Sequence, residues 1–261
     1  MSLHRTSFAV AAALFVAASC SSTETRSEHP VPVRVLVYNV RHCEGLDGRI
    51  DLERVAEVIR DADANVVLLQ EVDQCCERSG GADQAAKLGE LVGMDHRFGT
   101  FRSYDGGHYG MAALSMFPIV STQTIPLPPE SKRVAALEVV IEAQGTEVVV
   151  TGLHLVQTEE ERLAQARFLI EHYEEEKRPV IFGGDLNSER TSSVLAALYT
   201  AFDAPEKRGD ALTFPSDTPV KEIDYVLLRP RNRWVVDEHR VIDEALASDH
   251  RPVVLQAHLR Y

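Results

Sequence analysis

The stretch "PVIFGGDLNSER" (residues 179–190) decides how the chain is read. Val180, Ile181 and Phe182 form the apolar run of a buried strand. Gly183 and Gly184 follow, and then Asp185, Leu186 and Asn187. A carboxylate and a carboxamide thus stand one residue apart where a strand leaves the core. Polar groups at strand mouths are where layered α/β folds build their sites.

The rest of the chain repeats this pattern. "VRVLVYN" (33–39) is a β-branched run closed by Asn39, and "NVVLLQE" (65–71) is a second strand with Glu71 at its end. Between them, "DLERVAEVIRDA" (51–62) places Leu52, Val55, Ile59 and Ala62 on one helical stripe. "QAAKLGELVG" (84–93) predicts a helix closed by Gly93. "GMAALS", "VAALEVVIEA" and "TEVVVTGLH" predict strands, with Gly145 at a hairpin and His154 at the last strand's end. "TEEERLAQARFLIEHYEEE" (158–176) opens with a capping box, Thr158 and Glu161, and continues as an amphipathic helix. "SSVLAALYT" predicts a further helix, and "IDYVLL" and "PVVLQAHL" late strands, with Asp224 opening the first and Asp249–His250 just ahead of the second. The pattern is one layered α/β domain over residues 33–261 with strands in mixed order.

The polar tips share a chemistry. Glu71, Asp249, Asn39 and Asp185 offer hard oxygen ligands of the kind that suit Mg²⁺ or Mn²⁺ rather than zinc. The histidines and carboxylates among them supply proton handling. No GxSxG is present, and Cys75 and Cys76 have no evident His partner in sequence. A metal without a covalent nucleophile points to water attacking a phosphoester.

Bulk properties constrain the partners. Forty acidic residues against 27 basic ones give a formal charge of −13, which argues against tight nucleic-acid binding. The segment "MSLHRTSFAVAAALFVAASCSS" has Arg5, an apolar stretch from Phe8 to Ala18 that is short for a bilayer span, and then small residues. It reads as an export signal over residues 1–19. "AASC" resembles a bacterial lipoprotein signal in which Cys20 receives lipid, with Ala17 where leucine is commonest; the alternative is an ordinary secretory signal. Residues 20–32 read as a polar tether. The expectation is an exported monomer held at the bacterial envelope through Cys20. Cys43, Cys75 and Cys76 are assigned no function.

With "VLVYNVRH", "LLQEVD", "YGMAALSMFPI", "GLHL", "GGDLN", "IDYVL" and "SDHRPVV" in this order, the chain resembles the endonuclease/exonuclease/phosphatase superfamily, which includes DNase I-like nucleases and neutral sphingomyelinases. The resemblance runs over nearly all of the chain beyond the signal. It implies a four-layer sandwich: two mixed β-sheets face to face, helices outside. It also implies a metal held by Glu71 with Asn39 and Asp249, and Asp185 orienting or deprotonating water. Asn187 and His154 would contact phosphate oxygens, and His250, oriented by Asp224, the scissile phosphate. Tyr109, in the glycine-rich "DGGHYG" (105–110), and Arg133 are further substrate-contact candidates.

There are departures. Met111 and Met116 stand where many relatives carry an amide and a cation, and Leu153 and Val156 replace a common threonine and aspartate. Three functions stay open: a Mg²⁺-dependent phosphodiesterase or phosphatase on a small or lipid-derived substrate, an extracytoplasmic nuclease, and a non-catalytic binding lipoprotein.

Overall fold

The computed structural model describes residues 32–129, 134–156 and 158–260. The expected signal and tether, apart from Pro32, lie outside the described residues, as does Arg133. The elements in chain order are β1 (Val33–Asn39), α1 (Leu52–Asp61), β2 (Val66–Gln74), α2 (Gln84–Val92), β3 (Asp95–Tyr104), β4 (Gly107–Ser115), β5 (Ile119–Leu127) and β6 (Val134–Ala143). They continue with β7 (Thr146–His154), α3 (Glu159–His172), β8 (Val180–Asp185), α4 (Ser193–Leu198), β9 (Asp224–Arg229), β10 (Trp234–Val241) and β11 (Val253–Leu259).

One sheet has the order β10-β11-β1-β2-β4-β3 and the other β5-β6-β7-β8-β9. Each is mixed: β1–β2 and β7–β8 run parallel, and the other neighbours antiparallel. The inner faces meet through Val35, Val37, Leu68, Leu137, Val150, Ile181 and Leu255, all fully buried. The outer face of the first sheet packs under α1 and α2 through Leu36, Leu69, Val55, Ile59 and Leu88. The outer face of the second packs under α3 and α4 through Val149, Phe182, Leu169 and Leu195. Burying each such side chain is worth about 1.5–3 kcal/mol, so three apolar seams hold four layers together. This is the sandwich the resemblance implied.

The helices start where the sequence provides caps. Asp51, Asp83, Thr158 and Ser192 each accept a hydrogen bond from a first-turn backbone N–H, and the Thr158–Glu161 capping box is complete. Gly93 closes α2 at φ +70°. α3 ends at His172, earlier than the expected 176. Three strands absent from the sequence reading, β3, β5 and β10, are all at sheet edges.

Gly183 and Gly184 have a packing reason. Gly183 faces the other sheet, and a methyl group there would overlap Val37 and touch Leu68. A methyl on Gly184 would run into the Leu153 carbonyl. The pair lets β8 lie close to both neighbours just before it delivers Asp185.

Candidate active site

Register assembles the site before any loop does. His154 pairs with Asp185 across β7–β8, and Asp185 with Asp224 across β8–β9, so three functional groups share one row. The other sheet brings Asn39 at the end of β1. Glu71 differs from expectation: β2 does not end there but runs on to Gln74. The β2–β4 ladder slips between Leu69 and Val72, and Glu71 sits in that bulge at φ +59°. A non-glycine residue held there costs on the order of 1–3 kcal/mol and persists only where its surroundings enforce it. Asn187, at φ +47°, is held in the same way.

The groups converge. The Asn39 amide donates to Glu71 Oε1 at 3.1 Å and to Asp185 Oδ2 at 3.2 Å. His154 Nε2 lies 3.6 Å from Asp185 Oδ2 and 4.0 Å from Glu71 Oε1. His250 Nε2 lies 3.7 Å from Asp185 Oδ2, while its Nδ1 donates to Asp224 at 3.0 Å. Asp185 also accepts from the Asn187 backbone N–H at 2.8 Å, and the Asn187 side chain donates to the Leu155 carbonyl at 3.0 Å. That bond uses one of the two amide N–H groups. Asn39, His154, Asp185, Asp224 and His250 are all buried.

Burial and like charge shape the protonation. Burial, then the Asp224 charge, push the Asp185 carboxyl up to about 6 against the pull of His154 and His250. Burial depresses His250, but the charge and hydrogen bond of Asp224, with Asp185 and Asp249, outweigh it and carry the imidazole up to about 10. His250 is therefore a cation at neutral pH, the form that donates to a phosphate oxygen.

Glu71, His154, Asp185, Asn187, Asp249 and His250 open onto one cleft of about 640 Å³. Tyr109 is not on its wall; it stands half-buried behind Glu71, and burial and then that carboxylate raise its phenol well above the ordinary range.

Two groupings of oxygen donors compete for a metal. Asp185, Asp224 and His250 place one ligand atom each within 4.8 Å of one another. Two of these three are already spent on each other, however, in the His250–Asp224 hydrogen bond. Glu71 and Asp249 keep about 30% of their side-chain surface exposed (28% and 31%), and the ion pair of Asp249 with Arg41 is long, at 4.0 Å. A carboxylate-rich cleft with this little internal compensation fits a hard divalent cation. The Asn39 oxygen accepts from the Arg41 backbone N–H at 3.1 Å, so its expected role as an oxygen ligand calls for the opposite amide orientation.

Several supporting residues carry no sequence signal. Lys207, buried, donates to Glu222 at 2.6 Å and to the Asp224 backbone carbonyl at 2.8 Å, fixing the residue that orients His250. The Phe214 ring packs on His250 with centroids 4.8 Å apart. Ser248 donates to the Asn39 carbonyl at 2.7 Å, tying the "SDH" loop to β1. Of these only Ser248 lies inside a recognisable motif.

Residues 36–250 match the Endonuclease/Exonuclease/phosphatase family. The Escherichia coli (strain K12) "Uncharacterized protein YbhP" is 26% identical over 244 residues, covering 87% of this chain and 96% of that one. An endonuclease/exonuclease/phosphatase from Beutenbergia cavernae superposes with a TM-score of 0.74 at 24% identity, covering 87% of this chain and 72% of that one. A mannosyl-6-phosphatase from Bacteroides thetaiotaomicron superposes with a TM-score of 0.70 at 17% identity, covering 88% and 100%. The chain belongs to the endonuclease/exonuclease/phosphatase family and is an enzyme of the phosphoester-hydrolase class.

Proposed function

We propose that this enzyme is a Mg²⁺-dependent phosphodiesterase that cleaves a small or lipid-derived substrate by attack of water. The observation that carries this reading is that Glu71, His154, Asp185 and His250, drawn from both sheets, form an unbroken run of contacts: His154 lies within 4.0 Å of both Glu71 and Asp185, and His250 3.7 Å from Asp185. Glu71 and Asp249 would hold the Mg²⁺, with the Asn39 amide bracing Glu71 and Asp185, and the metal would supply Lewis-acid neutralisation of phosphoryl charge.

The chain's own groups divide the remaining work. Asp185, held by Asn39 and Asn187, orients the water and takes its proton. His250, held by Asp224, donates to a non-bridging phosphate oxygen as negative charge grows there. His154 donates beside the leaving oxygen, and the second N–H of Asn187 donates to the phosphate. Tyr109 buttresses Glu71.

Charge supports a small substrate over a polynucleotide. The cleft wall carries Glu71, Glu159, Asp185, Glu189 and Asp249 against the cations Arg162, Lys221 and His250. A groove that tracks a nucleic-acid backbone needs the reverse balance. The apolar N-terminal stretch and Cys20 support an exported, lipid-anchored monomer at the bacterial envelope.

The test is hydrolysis across a panel: a chromogenic phosphodiester, p-nitrophenyl phosphate, supercoiled DNA, sphingomyelin, phosphatidylinositol and inositol phosphates, each with Mg²⁺ and with EDTA. The expected result is Mg²⁺-dependent turnover of a small or lipid-derived diester. Preference for DNA would replace this reading with the nuclease one, and turnover of none would support a binding lipoprotein.

A further inference from the structure

We infer that Arg102 is a specificity residue that binds a second anionic group of the substrate, beyond the phosphate that is cleaved. The inference rests on the phosphoesterase reading above and names the substrate class more closely.

The observation is an unequal pair of arginines on one aromatic cluster. Phe101, Tyr104 and Tyr109 belong to the β3–β4 hairpin; Phe101 and Tyr104 each stand 6.2 Å from Tyr109 between ring centroids. Phe101 is also 6.2 Å from His154, so the cluster begins at the cleft. Arg78 lies 4.6 Å from the Tyr104 ring, and its guanidinium is spent on Asp73, a fully buried carboxylate, through bonds of 2.8 and 2.7 Å. Arg102 lies 5.3 Å from both tyrosine rings and is exposed, with no carboxylate in ion-pair range among the described residues.

Geometry links Arg102 to the reacting groups through Tyr109. Its Cα partner across the ladder is Tyr109, so the two side chains lie on one face of the hairpin. Tyr109 in turn reaches Glu71. Arg102 is therefore one tyrosine's length from the expected metal ligand. A guanidinium resting on aromatic faces keeps its N–H edges free, and those edges match a phosphate or carboxylate in bidentate fashion. The second anion can come from a terminal phosphate on a small molecule or from the neighbouring phosphate of an oligonucleotide.

Two measurements on the full chain decide it. In the first, calorimetry compares inorganic pyrophosphate with inorganic phosphate on the wild type, Arg102→Ala and Arg102→Lys. The expected result is a pyrophosphate preference that falls about tenfold or more in Arg102→Ala and is partly kept in Arg102→Lys. Equal weakening of both ligands, or an unaltered preference, overturns the inference. In the second, thymidine 5′-(p-nitrophenyl phosphate) is compared with the same ester carrying a 3′-phosphate, and with a thymidine decanucleotide. The KM ratio should favour the 3′-phosphorylated ester in the wild type and collapse in Arg102→Ala. A ratio that collapses only for the decanucleotide assigns Arg102 to a polynucleotide phosphate instead, and one unaltered for both substrates counts against the inference. If the wild type hydrolyses no ester, the phosphoesterase reading fails, while the pyrophosphate preference still decides the role of Arg102.

Discussion

The Asn39 amide, at the end of β1 in one sheet, donates at 3.2 Å to Asp185, at the end of β8 in the other. It is a polar bridge between two layers joined mainly by apolar packing, and it sits where the cleft opens. Removing it leaves the buried Asp185 with one backbone donor. Asn39→Ala should lower kcat/KM about tenfold or more and cost about 1–3 kcal/mol of stability. Steady-state kinetics beside thermal melts check both, and wild-type values in either would separate this bond from the site's function.

If His250 donates to the phosphate as proposed, its pairing with Asp224 should set the alkaline limit of activity. His250 has a raised folded-state value of about 10, so its cationic form is complete below the ordinary imidazole range and is lost as pH rises through about 10. Asp224→Asn removes the charge that outweighs burial. The alkaline limb of the kcat/KM profile should then move down by more than one pH unit, with a lower maximum. An unmoved limb would mean that His250 is not the group being read.

Gly183 measures how closely the sheets approach. Gly183→Ala places a methyl group against Val37 and Leu68 at the centre of the inter-sheet seam. Overpacking of this kind costs about 1–3 kcal/mol, and several degrees of melting temperature follow. Differential scanning calorimetry of the variant beside the wild type reads this directly, and an unmoved transition would mean that the seam yields to the methyl group.

Burial of a histidine that does not line the cleft should make acid the weak side of the fold. His239 on β10 is buried, donates from Nδ1 to the Pro205 carbonyl at 3.0 Å, and has no partner for Nε2. Burial, followed by the Lys207 charge, depresses its value to about 3. The unfolded chain then binds the extra proton first, so stability is complete above about pH 6.5 and is lost as pH falls towards 3. His239→Asn should flatten that part of the stability curve, as urea unfolding at pH 7, 5 and 4 would show. An equally steep loss in the variant would place the acid sensitivity elsewhere.

What the sequence made legible follows from burial. β1, β2, β8 and β11 are interior strands packed on both faces, and they read as continuous apolar runs. β3, β5 and β10 are edges: "DHRFGTFRSY", "IVSTQTIPL" and "WVVDEHRV" expose much of their length and lose the apolar signal. The site divides in the same way. Asp185, Asp224, His154 and His250 were readable because each punctuates an apolar run. The bulge that turns Glu71 into the cleft, the buried Lys207 behind Asp224 and the unpaired Arg102 depend on partners 15 or more residues away, or on register, and no local pattern announces them.

Whether Glu71 holds the metal of a phosphoester hydrolase is decided by a single rate comparison. The initial rate of Mg²⁺-dependent hydrolysis of a chromogenic phosphodiester is compared between the wild type and Glu71→Gln at saturating Mg²⁺. Glu71→Gln keeps the side chain's size and removes its charge. The expected result is a fall of at least about a hundredfold in an otherwise folded protein. A rate close to wild type would contradict it.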